Sequence, residues 1–255
     1  MAFPIDIHIG ALTIPSHLIF EMLAYTLGFR YFLWLRKRQV DTIETGDRIW
    51  ILVGAAFGAL LGARLVGVFE KPWLFSLTLP FLLYVMSSKT IVGGLLGGLI
   101  GTELTKKIIG VRTSSGDLMT YPLLLAIMIG RVGCFLAGVE DGTYGIASTL
   151  PWALDMGDGV QRHPTNLYEI LFLGLLWLFL LAVERRIKLA DGARFRIFLA
   201  SYLLFRFCIE FIKPVYPFAL GLGIIQLVCL AGLMYYWRVF FRPTSLFIPS
   251  SGVPV

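Results

Sequence analysis

The feature that most constrains this chain is a series of apolar segments that are long enough to cross a lipid bilayer. A transmembrane helix needs about 20 predominantly apolar residues, and the sequence of 255 residues contains about seven such segments. Hydrophobic residues make up 57% of the chain and charged residues 15%, which is more apolar surface than a soluble core of this length could bury. The sequence therefore predicts an all-α polytopic membrane protein, with residues 1–255 in a single integral membrane domain. The predicted spans are 17–35, 50–69, 90–108, 118–136, 166–183, 195–212 and 220–240.

The distribution of lysine and arginine predicts the orientation of these spans. Cytoplasmic loops of membrane proteins are enriched in Lys and Arg, and the basic residues at the span ends alternate between a rich and a poor side. The rich side carries Arg36, Lys37, Arg38, Arg48, Lys106, Lys107, Arg112, Arg185, Arg186, Lys188, Arg194, Arg196, Arg238 and Arg242, and the poor side carries Lys71, Lys89, Arg162 and Lys213. This pattern predicts an external, periplasmic N-terminus, a cytoplasmic C-terminus and a multi-pass protein of the inner-membrane type.

Two segments between the spans are predicted to lie outside the hydrocarbon core. Residues 73–86 are apolar but too short to span comfortably, and Pro80 interrupts them, so we expect an interfacial or re-entrant arm. Residues 137–165 carry several acidic side chains and are predicted to form an external loop.

The sequence contains no pattern that predicts a cofactor. It has neither a P-loop nor a dinucleotide fingerprint, and Cys134, Cys208 and Cys229 are scattered through apolar stretches, without the spacing of a metal site. The net charge of +6 reflects basic cytoplasmic loops rather than a nucleic-acid surface. We therefore expect no cofactor, no metal ion and no nucleic-acid partner.

Three arginines lie well inside the predicted spans, where a charge needs a partner. An arginine at the bilayer centre costs at least about 2.5 to 3.5 kcal/mol on insertion scales. Arg64, Arg131 and Arg206 lie toward the external ends or the middles of three different helices, so we expect them to converge on one polar cavity. A guanidinium group binds phosphate oxygens through two parallel hydrogen bonds, which predicts a phospholipid phosphate as the ligand. The alternative is a buried ion pair, for example between Arg206 and Glu210 on one helix face.

Small residues and a polar block accompany these arginines. Gly93 and Gly94 remove side chains along one span, a pattern that marks a helix-packing seam more often than a lipid cradle. After the external loop, a helix that begins at Pro164 carries Tyr168 and Glu169 one turn into the membrane. His163 directly precedes this helix at the external surface. These residues are candidates for the surroundings of a lipid headgroup.

Six sequence segments follow one another in the order of a known family. They are Gly62-Ala-Arg64, Gly93-Gly94, Gly116-Asp117, Gly130-Arg-Val-Gly-Cys-Phe135, Arg162-His-Pro-Thr-Asn-Leu-Tyr-Glu169 and Tyr202-Leu-Leu-Phe-Arg-Phe-Cys-Ile-Glu210. Over nearly its whole length the chain resembles the prolipoprotein diacylglyceryl transferases. The resemblance implies an enzyme of the bacterial plasma membrane that transfers the diacylglyceryl group of phosphatidylglycerol to the lipobox cysteine of a preprolipoprotein and releases glycerol phosphate.

The resemblance also implies roles for individual residues. Arg131 and Arg206 match essential arginines of the family and are expected to bind the phosphate in the ground state and the transition state. His163 and Glu140 are further candidates for catalysis. Contacts with lipid or phosphate are expected from Arg64, Gly93, Gly94, Tyr168, Glu169 and Tyr202, and supporting roles from Glu21, Asp117, Cys134 and Glu210.

The chain departs from the family pattern where a base would act. Val92 stands where typical members carry a histidine before Gly-Gly, and Cys134 replaces an asparagine after the arginine. A cysteine acceptor with a pKa near 8.5 needs a nearby base or a strongly positive field to become a thiolate. The candidates for a replacement base are Glu21, Glu140, Asp141 and His163.

Two alternative functions stay open on the sequence alone. The first is a transferase on the same scaffold that moves a diacylglyceryl or glycerophosphoryl group to an acceptor other than a lipoprotein, and the missing histidine favours it. The second is a catalytically silent lipid-binding membrane protein. The retained Arg131, Arg206, His163 and Glu169 argue against this second alternative.

Overall fold

The protein is predominantly helical. The structure is a computed structural model, and it describes residues 3–10, 12–39, 41–72, 75, 79–214, 216–218 and 220–247. Its helices are α1 (Ser16–Arg38), α2 (Thr45–Val68), α3 (Leu79–Ser87), α4 (Ile91–Ile109), α5 (Asp117–Ala137), α6 (Thr165–Arg186), α7 (Ala193–Ile209), α8 (Ile224–Tyr235) and α9 (Trp237–Phe241). Short 3-10 turns follow α5, α7 and α9 at Gly138–Asp141, Glu210–Ile212 and Pro243–Leu246. Antiparallel pairs form between strands β1 (Ile7–Ile9) and β2 (Leu12–Ile14), and between β3 (Leu154–Asp155) and β4 (Gln161–Arg162).

Among the described residues, four helices are long and apolar enough to cross a membrane: α1, α2, α5 with its 3-10 turn, and α6. Helices α3 and α4 bend by 73° at a short break and count as a fifth span if they cross as one unit. Helices α1, α2, α4, α5 and α6 coincide with predicted spans and confirm the prediction of an all-α membrane protein. Helices α7 and α8 lie on the two remaining predicted spans, but they have only 17 and 12 residues. The count of seven spans and their orientation therefore stay predictions.

The predicted arm at 73–86 is described only in part. Helix α3 covers its second half, whereas residues 73, 74 and 76–78 lie outside the described part of the chain. The sharp bend between α3 and α4 is the geometry either of a broken span or of a re-entrant loop.

The outer surface of the helices is apolar. Met22 on α1, Phe57 and Leu65 on α2, and Leu171 on α6 each expose more than half of their surface. In water, an apolar surface of this extent would mark a site of association with protein or membrane. Together with the length of the helices, it indicates that these faces contact lipid.

A row of glycines brings α2 and α4 into close contact. A Cβ atom on Gly62 would lie 2.3 Å from the carbonyl oxygen of Gly93, and a Cβ atom on Gly58 would lie 2.3 Å from that of Gly97. The two backbones therefore pack directly on each other, as small residues allow in membrane helices. Gly93 belongs to this packing seam, and Gly94 also faces α2.

Helix α5 packs against α1, α6 and α7 and carries polar residues into their centre. Leu124 on α5 is fully buried, and Arg131, nearer the C-terminal end of the same helix, is also buried. At the first residue of α5, Asp117 accepts hydrogen bonds from the backbone N–H groups of Gly192 at 2.7 Å and Phe195 at 3.0 Å. Asp117 lies 14 positions before Arg131, which is about 21 Å along a helix that rises 1.5 Å per residue. Its supporting role is therefore to fix the beginning of α7, at the opposite end from Arg131.

The predicted loop at 137–165 is tied to the helix ends by backbone hydrogen bonds. The N–H group of Val139 donates to the carbonyl of Met156 at 3.1 Å, and that of Ile146 donates to the carbonyl of Ile212 at 2.9 Å. Met156 is fully buried. The loop therefore has a defined structure that covers the end of α5.

Candidate active site

Three helices meet at a buried group of charges, called here the arginine cluster: Arg131, Glu169, Tyr202, Arg206 and Glu210. Glu169 on α6 accepts hydrogen bonds from Nη1 of Arg206 at 2.9 Å and from the hydroxyl of Tyr202 at 2.7 Å, both on α7. Arg131 on α5 places its Nε 3.0 Å from the same carboxylate, and Arg206 also pairs with Glu210. All five residues are buried. Breaking a buried pair leaves an uncompensated charge, so these contacts hold α5, α6 and α7 in a fixed arrangement.

The arginine cluster retains a hydrogen-bond donor without a partner. Nε of Arg206 is buried and makes no hydrogen bond to any described residue, whereas Nε of Arg131 has only its ion-pair contact with Glu169 at 3.0 Å. A buried donor left without a partner costs about 1 to 3 kcal/mol, and more if it is charged. Lys213 lies 3.6 Å from Glu210, beside the two arginines. Burial raises the pKa of the nearby Glu70 and lowers the pKa of Lys213, so it disfavours the charged form of both groups. The cluster is therefore suited to bind a further anion.

The predicted arginines have different partners in the structure. The ion pair between Arg206 and Glu210 is present, and Arg131 finds its acid, Glu169, on another helix. Arg64 instead donates to the backbone carbonyls of Val85 at 3.4 Å and Ser88 at 2.9 Å. The structure thus brings Arg131 and Arg206 together, whereas Arg64 holds the end of α3.

A second polar group lies at the surface beside the arginine cluster. Nδ1 of His163 lies 3.3 Å from the hydroxyl of Tyr168, which accepts a hydrogen bond from Nε1 of Trp152 at 2.7 Å. Successive helix positions point about 100° apart, so Tyr168 faces the loop while Glu169 faces the cluster. Trp and Tyr with a polar tip are typical of the membrane interface, and His163 lies on this interfacial surface rather than among the arginines.

Three side chains from distant parts of the sequence meet on the other side of Arg131. They are His17, Cys134 and Asp141, called here the thiol cluster, and their ligand atoms lie within 4.8 Å of one another. Nδ1 of His17 lies 3.0 Å from Oδ1 of Asp141. Nη1 of Arg131 donates to Sγ of Cys134 at 3.8 Å, so the two clusters share one edge. Glu21 approaches Nε2 of His17 at 3.6 Å.

Sequence reasoning included Glu21, Cys134 and Asp141 but missed His17. Its partners Cys134 and Asp141 lie far later in the chain, so no local spacing reveals the group. One signal was available, because His17 and Glu21 are four positions apart on one face of α1. Glu140, the other acid of this turn, is exposed to the outside.

A hydrogen-bond chain connects the thiol cluster to the beginning of α6. The hydroxyl of Thr143 pairs with Asp141 and lies 3.1 Å from Oδ1 of Asn166. Thr165 donates to the backbone carbonyl of Thr143 at 2.9 Å. Asn166 is 1% exposed and lies one turn before Glu169. This chain fixes the loop that carries Asp141 against the helix that carries Glu169.

The fold and the site define a class of protein: a helical membrane protein with a buried cationic site beside a thiol, an imidazole and a carboxylate. The family model described as Prolipoprotein diacylglyceryl transferase matches residues 4–241. The chain belongs to the prolipoprotein diacylglyceryl transferase family.

Relatives from several bacteria are similar over most of their length. A Geobacter sulfurreducens protein named phosphatidylglycerol–prolipoprotein diacylglyceryl transferase is 33% identical over 218 residues, which cover 78% of this chain and 79% of that protein. The Photobacterium profundum protein of the same name is 31% identical over 223 residues, or 82% of this chain and 80% of that protein. The Dehalococcoides mccartyi protein of this name is 30% identical over 235 residues, or 88% and 87%.

Proposed function

We propose that the protein is a phosphatidylglycerol–prolipoprotein diacylglyceryl transferase of the bacterial inner membrane. It moves the diacylglyceryl group of phosphatidylglycerol to the lipobox cysteine of a preprolipoprotein and releases glycerol phosphate. The observation that carries this proposal is the arginine cluster. In a chain of this family, Arg131 and Arg206 converge on the carboxylate of Glu169, and Nε of Arg206 makes no hydrogen bond to the described residues.

The arginine cluster suits the phosphate of the lipid donor. Arg131 and Arg206 share the carboxylate of Glu169, so a phosphate between them replaces part of that pairing with charge-assisted bonds to its own oxygens. Glu210 and Tyr202 hold Arg206 and Glu169 in position during this exchange.

The chemical step is a nucleophilic substitution at the glyceryl carbon that carries the phosphate ester. The acceptor sulfur, as a thiolate, forms the carbon–sulfur bond while the carbon–oxygen bond breaks, and glycerol phosphate leaves with the electron pair. The thiol proton passes to water at the external face. Negative charge moves onto the departing phosphate, where Arg131 and Arg206 stabilise it, and one such donor is worth about 10² to 10³ in rate.

The remaining predicted site residues surround this centre. His163, Tyr168 and Trp152 form the polar and aromatic edge at which the lipid headgroup and the lipobox peptide enter. Arg64 donates a hydrogen bond to the carbonyl of Ser88 and so holds the end of α3. Glu140 lies at the exposed external surface.

The predicted membrane topology is part of the same proposal. Seven spans, with α7 and α8 among them, place the N-terminus outside and the C-terminus in the cytoplasm, and the arginine cluster then lies toward the external side. Residues 73–86 form an arm at the interface, and the loop at 137–165 covers the site from outside. The hydrogen bond from Ile146 to Ile212 supports this arrangement, because it attaches the loop to the end of α7.

One observation favours a second candidate function. Val92, which is 1% exposed at the beginning of α4, stands where the family pattern has a histidine. The base that would deprotonate the thiol of a lipobox cysteine is therefore missing from this position, and the substitution bears on the acceptor rather than on the lipid donor. The second candidate is therefore a diacylglyceryl or glycerophosphoryl transfer to an acceptor other than a lipoprotein.

A reconstituted assay with two readouts separates these functions. Purified protein in vesicles receives glycerol-labelled phosphatidylglycerol and a lipobox peptide, and both label release and peptide mass are measured. We expect the peptide to gain a diacylglyceryl group, Arg131→Ala to lower the rate by about 100-fold or more, and Arg30→Ala, at an exposed arginine of α1, to leave it unchanged. Label release without peptide modification supports the second candidate, and no turnover by the unmodified protein overturns both.

A further inference from the structure

The thiol cluster has the donor set of a zinc site. An imidazole nitrogen, a cysteine sulfur and a carboxylate oxygen are the ligand types that zinc accepts in a tetrahedral shell. His17, Cys134 and Asp141 bring one of each within 4.8 Å of one another. Ligand atoms on one zinc ion at 2.0 to 2.3 Å lie roughly 3.3 to 3.8 Å apart. The His17 and Asp141 atoms are already 3.0 Å apart, so the widest separation in the group needs to shorten by only about 1 Å.

The surroundings of the cluster resemble the outer shell of a metal site. Nδ1 of His17 is buried and faces Oδ1 of Asp141 at 3.0 Å, without a well-aligned hydrogen bond to any described residue. Its Nε2 faces Glu21 at 3.6 Å. Metal-bound histidines typically donate their other ring N–H to a carboxylate. Lys89 holds Glu21 at 2.6 Å, and Thr143 pairs with Asp141.

Burial and charge also fit a divalent ion. The side chains of Cys134 and Asp141 are nearly buried, whereas His17 is 29% exposed and leaves a path from outside. The charge of Zn²⁺ is balanced by one thiolate and one carboxylate.

We propose that His17, Cys134 and Asp141 bind one zinc ion and leave its fourth position for the sulfur of the acceptor cysteine. This inference rests on the proposed function for the identity of the acceptor, whereas the metal site itself does not depend on it. It assigns to the metal the activation that a histidine at position 92 would otherwise provide. It also departs from the sequence-based expectation of no metal, because the three ligands share no local spacing.

The role of the metal in the reaction is to form and hold the nucleophile. The acceptor thiol binds zinc as a thiolate, and its proton is released to water. That sulfur then attacks the glyceryl carbon, its bond to zinc breaks as the carbon–sulfur bond forms, and glycerol phosphate leaves with the electron pair of the broken carbon–oxygen bond. Because Arg131 contacts both clusters, the sulfur and the phosphate are held side by side.

Metal analysis of the full chain tests the site directly. Protein purified in detergent without chelator is expected to retain about one zinc ion per chain, and Cys134→Ala, His17→Ala and Asp141→Ala are each expected to lower that content at least tenfold. Cys208→Ser removes an exposed cysteine elsewhere and is the matched control, with unchanged zinc. Zinc that is absent from the unmodified protein, even after incubation with the ion, or that persists in Cys134→Ala, overturns the site.

Cobalt substitution tests the open position. Co²⁺ in the unmodified protein is expected to give a sulfur-to-metal charge-transfer band that Cys134→Ala lacks, and a lipobox peptide is expected to increase this band, whereas its Cys→Ser version has no effect. A charge-transfer band that stays unchanged when the cysteine peptide is added overturns the proposal that the acceptor sulfur binds the metal. The transferase assay on the same samples separates the two proposals: peptide modification at full rate without metal overturns the zinc inference alone, and a zinc-loaded protein that never modifies peptide overturns the proposed function alone.

Discussion

Two buried arginine sites differ in how completely their charges are paired. Arg48, at the beginning of α2, donates Nε and Nη2 to the carboxylate of Asp41 and Nη1 to the carbonyl of Ser115 at 3.1 Å. Arg131 and Arg206 are similarly buried, at 5% exposure against 2% for Arg48, yet Nε of Arg206 makes no hydrogen bond to a described residue, and Nε of Arg131 has only an ion-pair contact with Glu169. Burial alone therefore does not separate the two sites. The difference teaches that a fully paired buried arginine serves the fold, whereas one with open donors is prepared for a ligand.

The largest effect is expected from removing an arginine of the open site. Arg206→Ala deletes a ligand for the phosphate and a partner of both Glu169 and Glu210. We expect the rate of diacylglyceryl transfer to fall by about 10² to 10³-fold, measured per folded molecule with labelled phosphatidylglycerol. A variant that folds and retains more than a tenth of the rate would remove the distinction between the two sites.

The paired site should respond in stability instead. Arg48→Ala removes the buried partner of Asp41 and leaves Arg36 as its remaining cation, and loss of a hydrogen bond to a charged group costs about 1.5 to 3 kcal/mol. Unfolding in detergent should show this loss of free energy, while the transfer rate of the folded fraction stays within about twofold of the unmodified protein. A large loss of rate at unchanged stability would contradict the assignment of Arg48 to the fold.

A milder change at the open site sharpens the comparison. Arg206→Lys keeps the positive charge but loses the planar fork that reaches two acceptors. Loss of one charge-assisted hydrogen bond of about 1.5 kcal/mol corresponds to about a tenfold lower kcat/KM for phosphatidylglycerol. An effect equal to that of Arg206→Ala would show that geometry matters more than charge, and no effect would show that the second hydrogen bond is unused.

The smallest effect concerns acid pH at the paired site. Burial raises the pKa of Asp41, but hydrogen bonds from Arg48 and from the backbone of Ile43 outweigh this, and the net pKa lies below its usual value of 3.8. The ionised carboxylate therefore adds stability that is fully present above the unfolded pKa and lost as the pH falls through the lower, folded pKa. Unfolding measured below about pH 4 in an acid-stable detergent should show a weaker pH dependence for Asp41→Asn than for the unmodified protein. An identical dependence would contradict the shift.

Much of the fold follows from the sequence because bilayer thickness imposes the length of each apolar segment. The bounds of α1, α2, α4, α5 and α6 lie close to the predicted spans, while α7 and α8 end earlier than hydropathy alone predicts. The bend between α3 and α4 and the 3-10 turns depend on tertiary contacts that hydropathy does not encode.

The site was predictable where a charge in the membrane demands a partner. That reasoning, with the family resemblance, identified Arg131 and Arg206, but it did not predict that Glu169 pairs with both. It also grouped Arg64 with them, although Arg64 binds the carbonyls at the end of α3. The same reasoning did not predict that His17 lies beside Cys134. Packing, rather than the spacing of residues in the sequence, decides which helix faces meet.

The most direct test of the open site is the stabilisation of the protein by its lipid. A ligand that binds the folded state stabilises it by RT ln(1 + [L]/Kd). Phosphatidylglycerol in mixed micelles should therefore raise the Tm of the unmodified protein and also the Tm of Arg48→Ala, which starts from a lower value. Diacylglycerol, which lacks the phosphate, should raise neither. We predict that Arg131→Ala loses this lipid-dependent shift, and a shift as large as that of the unmodified protein would contradict the assignment of the phosphate to the arginine cluster.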